Sequence, residues 1–358
     1  MNVHDVGRAP VQDLPVLAPL PPDPRIPKIE IEAAFTAKCA VAVLDENGEP
    51  DWSWFITENG LNRQFIEAVS PRLADFDETR LQSMDQTGVV YCVNAPADPA
   101  IQAMKDPRQA RDGATLTNDY LAEQIARHPD RLGGFASVSL HDGKEAAREL
   151  ERCITKLGFK GVLVNGFQQT QDPNKIIYLD EEILTPFWEA LTALDVPLYI
   201  HPRVSHQRLM YEGHAELQGA TWGFAPETAT HLLRLVYAGL FDRFPTAQVA
   251  IGHMGETLPY MAWRIEHCYQ YNPADKKVNL RLQEYMARNI WITTSGNFCT
   301  AALQCAIATI GADRIMYSVD YPFENMSWAA DWIETAAISE VDRQKICHDN
   351  ARRFLKLK

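Results

Sequence analysis

Residues 196 to 201 read VPLYIH, residues 248 to 253 read QVAIGH and residues 314 to 320 read RIMYSVD. Each is a short apolar run that closes on a side chain able to hold a proton or a cation: His201, His253 and Asp320. Runs that are apolar almost throughout belong to strands covered on both faces, the habit of parallel sheets. Working outward, the same signature recurs in IEIEAAF (29 to 35), GVVYCV (88 to 93), LGGFASVSL (132 to 140), KGVLVN (160 to 165) and NIWITT (289 to 294). Between these runs the spacing predicts helices over 115 to 128, 143 to 157, 181 to 194, 227 to 242, 256 to 270 and 300 to 309, with 328 to 336 and 340 to 355 following the last. Eight strand-and-helix units predict an α/β protein built as a single closed (β/α)₈ barrel. An open doubly wound sheet is the alternative, weakened because no G-x-G-x-x-G turn follows a strand. Seven of the 22 prolines fall within residues 1 to 27, which read as an extended proline-rich arm before a single domain over 28 to 358. Residues 36 to 77, with Trp52-Ser53-Trp54-Phe55, read as an insertion after strand one that crosses one face of the barrel.

Composition removes several functional classes. The 358 residues are 46% hydrophobic and 23% charged, ordinary globular proportions. Against 34 basic side chains stand 47 acidic ones, a net charge of −13, so nucleic acid and anionic membrane surfaces are not expected partners. No apolar run approaches the roughly 18 residues that span a bilayer, and the proline-broken N-terminus lacks the basic start and cleavage pattern of a signal peptide. Seven widely spread cysteines without a C-x-x-C pair point to reduced thiols and a cytoplasmic location.

In a (β/α)₈ barrel the chemistry gathers where strands end, and a charged group buried there needs a partner. Strand one carries Glu32, strand five ends at His201, strand six at His253 and strand eight at Asp320. A strand-end histidine alone is more often a hydrogen-bonded core residue. Two histidines and two carboxylates at matching ends instead favour one divalent cation, with positions left open for water or substrate. His206 and His214 sit in the loop after strand five, and His231 on a helix, where the active site and a packing role are equally open. Serine chemistry lacks a G-x-S-x-G elbow.

With their flanks, these residues resemble the amidohydrolase superfamily, in the branch of o-hydroxybenzoate decarboxylases acting on 2,3-dihydroxybenzoate, 2,6-dihydroxybenzoate (γ-resorcylate) or salicylate. The matching segments are RLGGFASVSLHD, GFKGVLVNGF, VPLYIHPR, IGHMGETLPYMAWRIEH, ITTSGNF, YSVDYPFEN and NARRFLKL, within a likeness that runs from about residue 28 to the end. The resemblance implies that Glu32, His201 and Asp320 hold a divalent metal and that His253 and Glu256 form a proton-handling pair. It further implies that Asp320 is the catalytic acid and that Arg264, Phe323 and Asn165 contact an aromatic acid. Many relatives carry E-x-H-F on strand one, where this chain has Glu32-Ala33-Ala34-Phe35. Ala34 cannot bind a metal, so the protein ligands fall from four to three, and fewer imidazoles favour Mg²⁺ or Mn²⁺ over Zn²⁺. No organic cofactor is implied, and a homodimer or homotetramer is. Two other readings stay open: a metal-assisted hydrolase or hydratase of a lactone, amide or related acid, and a metal-free relative that binds without catalysis.

Overall fold

The computed structural model describes residues 25–357 except 42, 49, 60, 99 and 272–277. The proline-rich arm therefore lies outside the described residues up to residue 24, as do the side chains of Trp54 and Phe55. All eight expected runs contain a strand. In chain order the strands are β1 (Lys28–Phe35), β2 (Val89–Pro96), β3 (Leu132–Gly134), β4 (Val162–Asn165), β5 (Gln168–Gln169), β6 (Ile176–Ile177), β7 (Leu198–His201), β8 (Val249–Ile251), β9 (Ile290–Thr293) and β10 (Ile315–Met316). Setting aside the small antiparallel hairpin β5–β6, the strands pair in parallel as β1-β2-β3 and as β10-β9-β8-β7-β4. The main-chain ladder thus lies in two sheets, of three and five strands.

Two seams separate these sheets. At one, Ala136 bridges Val162 in parallel and the Leu163 N–H donates to the Ala136 carbonyl at 3.0 Å. At the other, between β1 and the chain leaving β10, the Ala34 N–H donates to the Tyr321 carbonyl at 2.6 Å. Here the side chain of Glu30 also reaches across, to Ser318 and Val319. Ile31, Val93, Phe135, Leu163, Tyr199, Ala250, Trp291 and Met316, one from each of the eight strands or its immediate extension, share a single buried cluster. A larger core lies between strands and helices, where Phe35, Val164, Ile200, Ile251 and Ile292 meet Leu150, Trp188, Leu235 and Leu303.

The helices start where polar caps dictate. Asp106 accepts from the Arg108 and Gln109 N–H groups ahead of the helix Pro107–Arg127, and Asp142 does the same for Gly143–Lys156. The excursion before β2 is helical: Trp52–Asn59, Arg63–Ala74 and Glu78–Thr87. Its second helix lays Ile66, Val69 and Leu73 against Ala34 and Ala97, beside Leu61, Phe65 and Phe323. It thereby covers the ends of β1 and β2.

Candidate active site

Register places the strand ends together. Asn165 pairs with His201, and Ile200 with Ile251, which pairs in turn with Ile292. His201, Gly252-His253 and Thr293 therefore emerge on one edge, and β1 and the 318–320 segment bring Glu32 and Asp320 to the same edge. One ligand atom from each of Glu32, His201 and Asp320 lies within 4.8 Å of the other two.

Each of the three side chains is held so that one atom stays available. The Tyr199 hydroxyl donates to Glu32 Oε2, and the Thr293 hydroxyl adds a 3.3 Å hydrogen bond to the same oxygen. Glu32 Oε1 is left buried with no hydrogen-bond partner among the described residues, and so is Asp320 Oδ1. His201 Nδ1 lies 2.8 Å from the Pro202 carbonyl, which can only accept, so Nδ1 carries the proton and Nε2 keeps its lone pair. That Nε2 is 3.7 Å from Glu32 Oε1.

Burial and neighbouring charges set the protonation of these side chains. Burial pushes Glu32 up to about 7, with His253 pulling it down and Asp320 raising it. Burial draws His201 down to about 4, keeping it a neutral imidazole at neutral pH. Two carboxyl groups and a neutral imidazole, with two orphaned carboxylate oxygens, fit a hard divalent ion and leave positions for substrate.

His253 stands beside this group. Its Nδ1 is 2.7 Å from Glu256 Oε1 and its Nε2 3.7 Å from Asp320 Oδ2. Burial opposes a charge on His253, but Glu256, Asp320 and Glu32 outweigh burial and hold it well above the ordinary histidine range. The backbone pays for this placement: His253, Met254, Glu256, Thr257 and Asp320 all have positive φ, 50° to 77°. Non-glycine residues in that region cost on the order of 1 to 3 kcal/mol each and cluster at functional sites.

Next to the triad lies a pocket of about 120 Å³ lined by His201, His253 and Asp320 and walled by Leu61, Phe65, Phe224 and Phe323. Ala220, Phe224 and His253 also line a neighbouring cavity of about 540 Å³. Phe323 lines this pocket, stacked at 6.4 Å on Phe65, a residue that sequence reasoning missed. Glu324 and Asp98 also line the pocket and were likewise missed; burial, then the Asp320 charge, push Glu324 up to about 7. Asn165 is buried, pairs with His201, donates to the Pro96 carbonyl at 3.3 Å and lines neither cavity.

Arg264 is not brought to the site within this chain. The helix Leu258–Tyr269 buries Leu258, Pro259 and Ala262, and Arg264, two positions past Ala262, falls on the opposite, exposed face. His231 is buried but accepts from the Leu179 N–H at 3.1 Å and lines neither cavity. His214 is exposed beside Glu216, and His206 packs edge-on to Phe167.

Comparison with known proteins places this arrangement. Residues 37–357 match the family model described as Amidohydrolase. A γ-resorcylate decarboxylase from Polaromonas sp. is 46% identical over 335 residues, covering 92% of this chain and 98% of the relative. One from Rhodococcus jostii is 43% identical over 300 residues, 82% of this chain and 91% of the relative. Among solved structures, a 2,6-dihydroxybenzoate decarboxylase complexed with 2,6-dihydroxybenzoate superposes with a TM-score of 0.85 at 41% identity, covering 92% of this chain and 99% of that one. A dihydroxybenzoic acid decarboxylase from Polaromonas sp., with bound manganese and the inhibitor 2-nitroresorcinol, gives 0.85 at 42% identity, covering 92% and 97%. The chain belongs to the amidohydrolase family, in its o-hydroxybenzoate decarboxylase branch.

Proposed function

We propose that this chain is a divalent-metal-dependent decarboxylase that removes CO₂ from an aromatic acid with an ortho hydroxyl group, with 2,6-dihydroxybenzoate preferred to 2,3-dihydroxybenzoate and salicylate. The observation that carries this reading is the convergence of Glu32, His201 and Asp320, each with a free ligand atom, beside an aromatic-walled pocket. Identity of 43% and 46% to γ-resorcylate decarboxylases supports the choice of acid. Glu32, His201 and Asp320 would hold Mg²⁺, Mn²⁺ or Zn²⁺, and the ion when bound supplies positive charge to the carboxylate and ortho oxygen of the substrate.

The protein's own groups then handle one proton. Phe323 and Phe65 flank the ring and keep water from it. Glu256 fixes the His253 ring through Nδ1 and favours its charged form, so Nε2 presents a proton toward Asp320. Asp320 passes a proton to the ring carbon that bears the carboxylate. The bond from that carbon to the carboxylate breaks, its electron pair returns to the ring, and CO₂ leaves. No electrons are gained or lost overall; His253 returns a proton to Asp320 and takes one up from water, so one proton is consumed for each CO₂ released. Asn165 supports the strand end that carries His201, with which it pairs.

The two sheets are read as one closed eight-stranded barrel. Support comes from the bridge at Ala136 and Val162, the hydrogen bond from Ala34 to Tyr321, and a cluster to which all eight strands contribute. Residues 28 to 358 would form this catalytic domain, with 1 to 27 as an arm. A cytoplasmic location agrees with seven free cysteines and with no described helix being long and apolar enough to cross a membrane. A homodimer or homotetramer agrees with the exposed face carrying Tyr260, Trp263 and Tyr271, on which Arg264 also lies.

The test is to incubate the chain with 2,6-dihydroxybenzoate, 2,3-dihydroxybenzoate and salicylate, with each metal and with chelator, and to identify the phenolic product. Chelator-sensitive resorcinol, catechol or phenol supports the reading. Survival of every acid by a metal-loaded chain would move the assignment to a hydrolase or hydratase.

A further inference from the structure

The seam between β1 and the 318–320 segment is closed in an unusual way. Glu30 is fully buried in the middle of β1, where a charged residue without partners would be costly. It has three partners, and all of them donate. The Ser318 hydroxyl reaches Glu30 Oε1 at 2.8 Å, the Glu32 N–H reaches the same oxygen at 3.1 Å, and the Val319 N–H reaches Oε2 at 2.6 Å. A carboxyl group offers two acceptor oxygens side by side; an amide offers one, and an apolar side chain none.

These partners flank the two acidic ligands. Glu32 lies two residues beyond Glu30 on the same strand, and Asp320 directly follows Val319. One side chain therefore spans the gap between the two pieces of chain that carry Glu32 and Asp320. The far side of the second piece is fixed as well, because the Thr294 hydroxyl donates to the Ser318 carbonyl at 2.9 Å and accepts from the Ser318 N–H at 3.0 Å. Asp320 is thus carried on a segment bracketed between Thr294 and Glu30. With Ala34 in place of a fourth ligand, a cation must be captured by three side chains, and their preset spacing matters more.

We propose that Glu30 is a positioning residue for the metal centre, one that sets the spacing of Glu32 and Asp320 by tying the backbone of β1 to the segment 318–319. The inference rests on the metal reading above and adds a residue that touches neither metal nor substrate.

The test strips the full-length chain of metal with chelator, titrates Mn²⁺ at a temperature well below unfolding, and follows free and bound Mn²⁺ by electron paramagnetic resonance. Glu30→Ala should weaken Mn²⁺ binding by about tenfold to a hundredfold, the range for residues that orient ligands, and should alter the line shape of the bound ion. Glu30→Gln, which keeps one acceptor, should fall between Glu30→Ala and the unaltered chain. A folded Glu30→Ala that binds Mn²⁺ within twofold of the unaltered chain, with the same line shape, would overturn the proposal and leave the metal site standing. Should Glu30→Ala fail to fold by circular dichroism, Ser318→Ala decides. It removes one bond of the three, and an affinity loss of a few fold supports the proposal while none overturns it. If the unaltered chain binds no Mn²⁺, the metal reading itself falls, and this inference with it.

Discussion

Two histidines, His231 buried and His201 mostly so, sit in two polar clusters of this protein, and the clusters are built to opposite ends. Around His231 the charges are answered, and the ring atom left without a partner among the described residues, Nδ1, carries a proton rather than a lone pair. Asp180 takes Arg234 at 2.9 and 3.0 Å, the Tyr178 hydroxyl donates to Glu227, and His231 accepts from the Leu179 N–H. Around His201 the same residue types leave their best atoms unanswered: Nε2 of the histidine, Oε1 of Glu32 and Oδ1 of Asp320. Both histidines are neutral for the same reason, burial. The difference is where the lone pair points. A buried histidine becomes a ligand when its second nitrogen is spent on a carbonyl and its neighbours are carboxylates with oxygens to spare.

The most severe way to break the comparison is Asp320→Asn, which removes the acid and a ligand oxygen together. Loss of decarboxylation by about a thousandfold or more is expected in single-turnover assays with 2,6-dihydroxybenzoate. His231→Gln should leave turnover within a few fold. Glu256→Gln comes next. It loosens His253 and removes the charge that favours the imidazolium, so kcat should drop roughly a hundredfold with little change in KM. An unchanged pH profile of kcat in that variant would show that His253 holds no working proton.

Ala34→His sharpens the contrast from the other side by restoring the missing imidazole. Mn²⁺ and Zn²⁺ should bind about tenfold more tightly. The new ring must displace Ile66, Val69 or Leu73, so stability should fall by about 1 to 3 kcal/mol. Calorimetric metal titration and thermal melts would show these opposite signs.

The His231 cluster comes last, because no turnover is at stake there. Burial, with the Arg234 charge behind it, draws His231 down from 6.5 to about 3. Between those values the unfolded chain takes up a proton that the folded chain refuses. The contribution to stability is therefore complete above pH 6.5 and is lost as pH falls toward 3, by up to about 1.4 kcal/mol per pH unit. Urea unfolding at pH 7 and pH 5 should show this slope, and His231→Gln should flatten it.

Much of this organisation was legible in the residues, for reasons that can be named. Eight strands were found because parallel strands covered on both faces read as unbroken apolar runs. Glu32, His201, His253 and Asp320 stood out because polar residues are costly where such runs end. The helix Arg63–Ala74 was not legible, since Pro71 lies inside it and proline ordinarily breaks a helical pattern. Phe65, which that helix brings to Phe323, was hidden with it. Arg264 was drawn into the site by its place in a motif, whereas the helical period turns it outward. The positive φ values at His253, Met254, Glu256 and Thr257 had no local signal, because residues of these types adopt that conformation only when surrounding packing imposes it. Glu30 carried no signal of its own in the sequence; only the closure of the seam shows what it holds.

The most direct test of the central claim is to run the Mn²⁺-loaded chain on 2,6-dihydroxybenzoate in D₂O and to examine the product by proton NMR. Resorcinol carrying one deuterium at the carbon that bore the carboxylate, absent with chelator and with Asp320→Asn, is the predicted result. An untouched acid in the presence of tightly bound Mn²⁺ would contradict it.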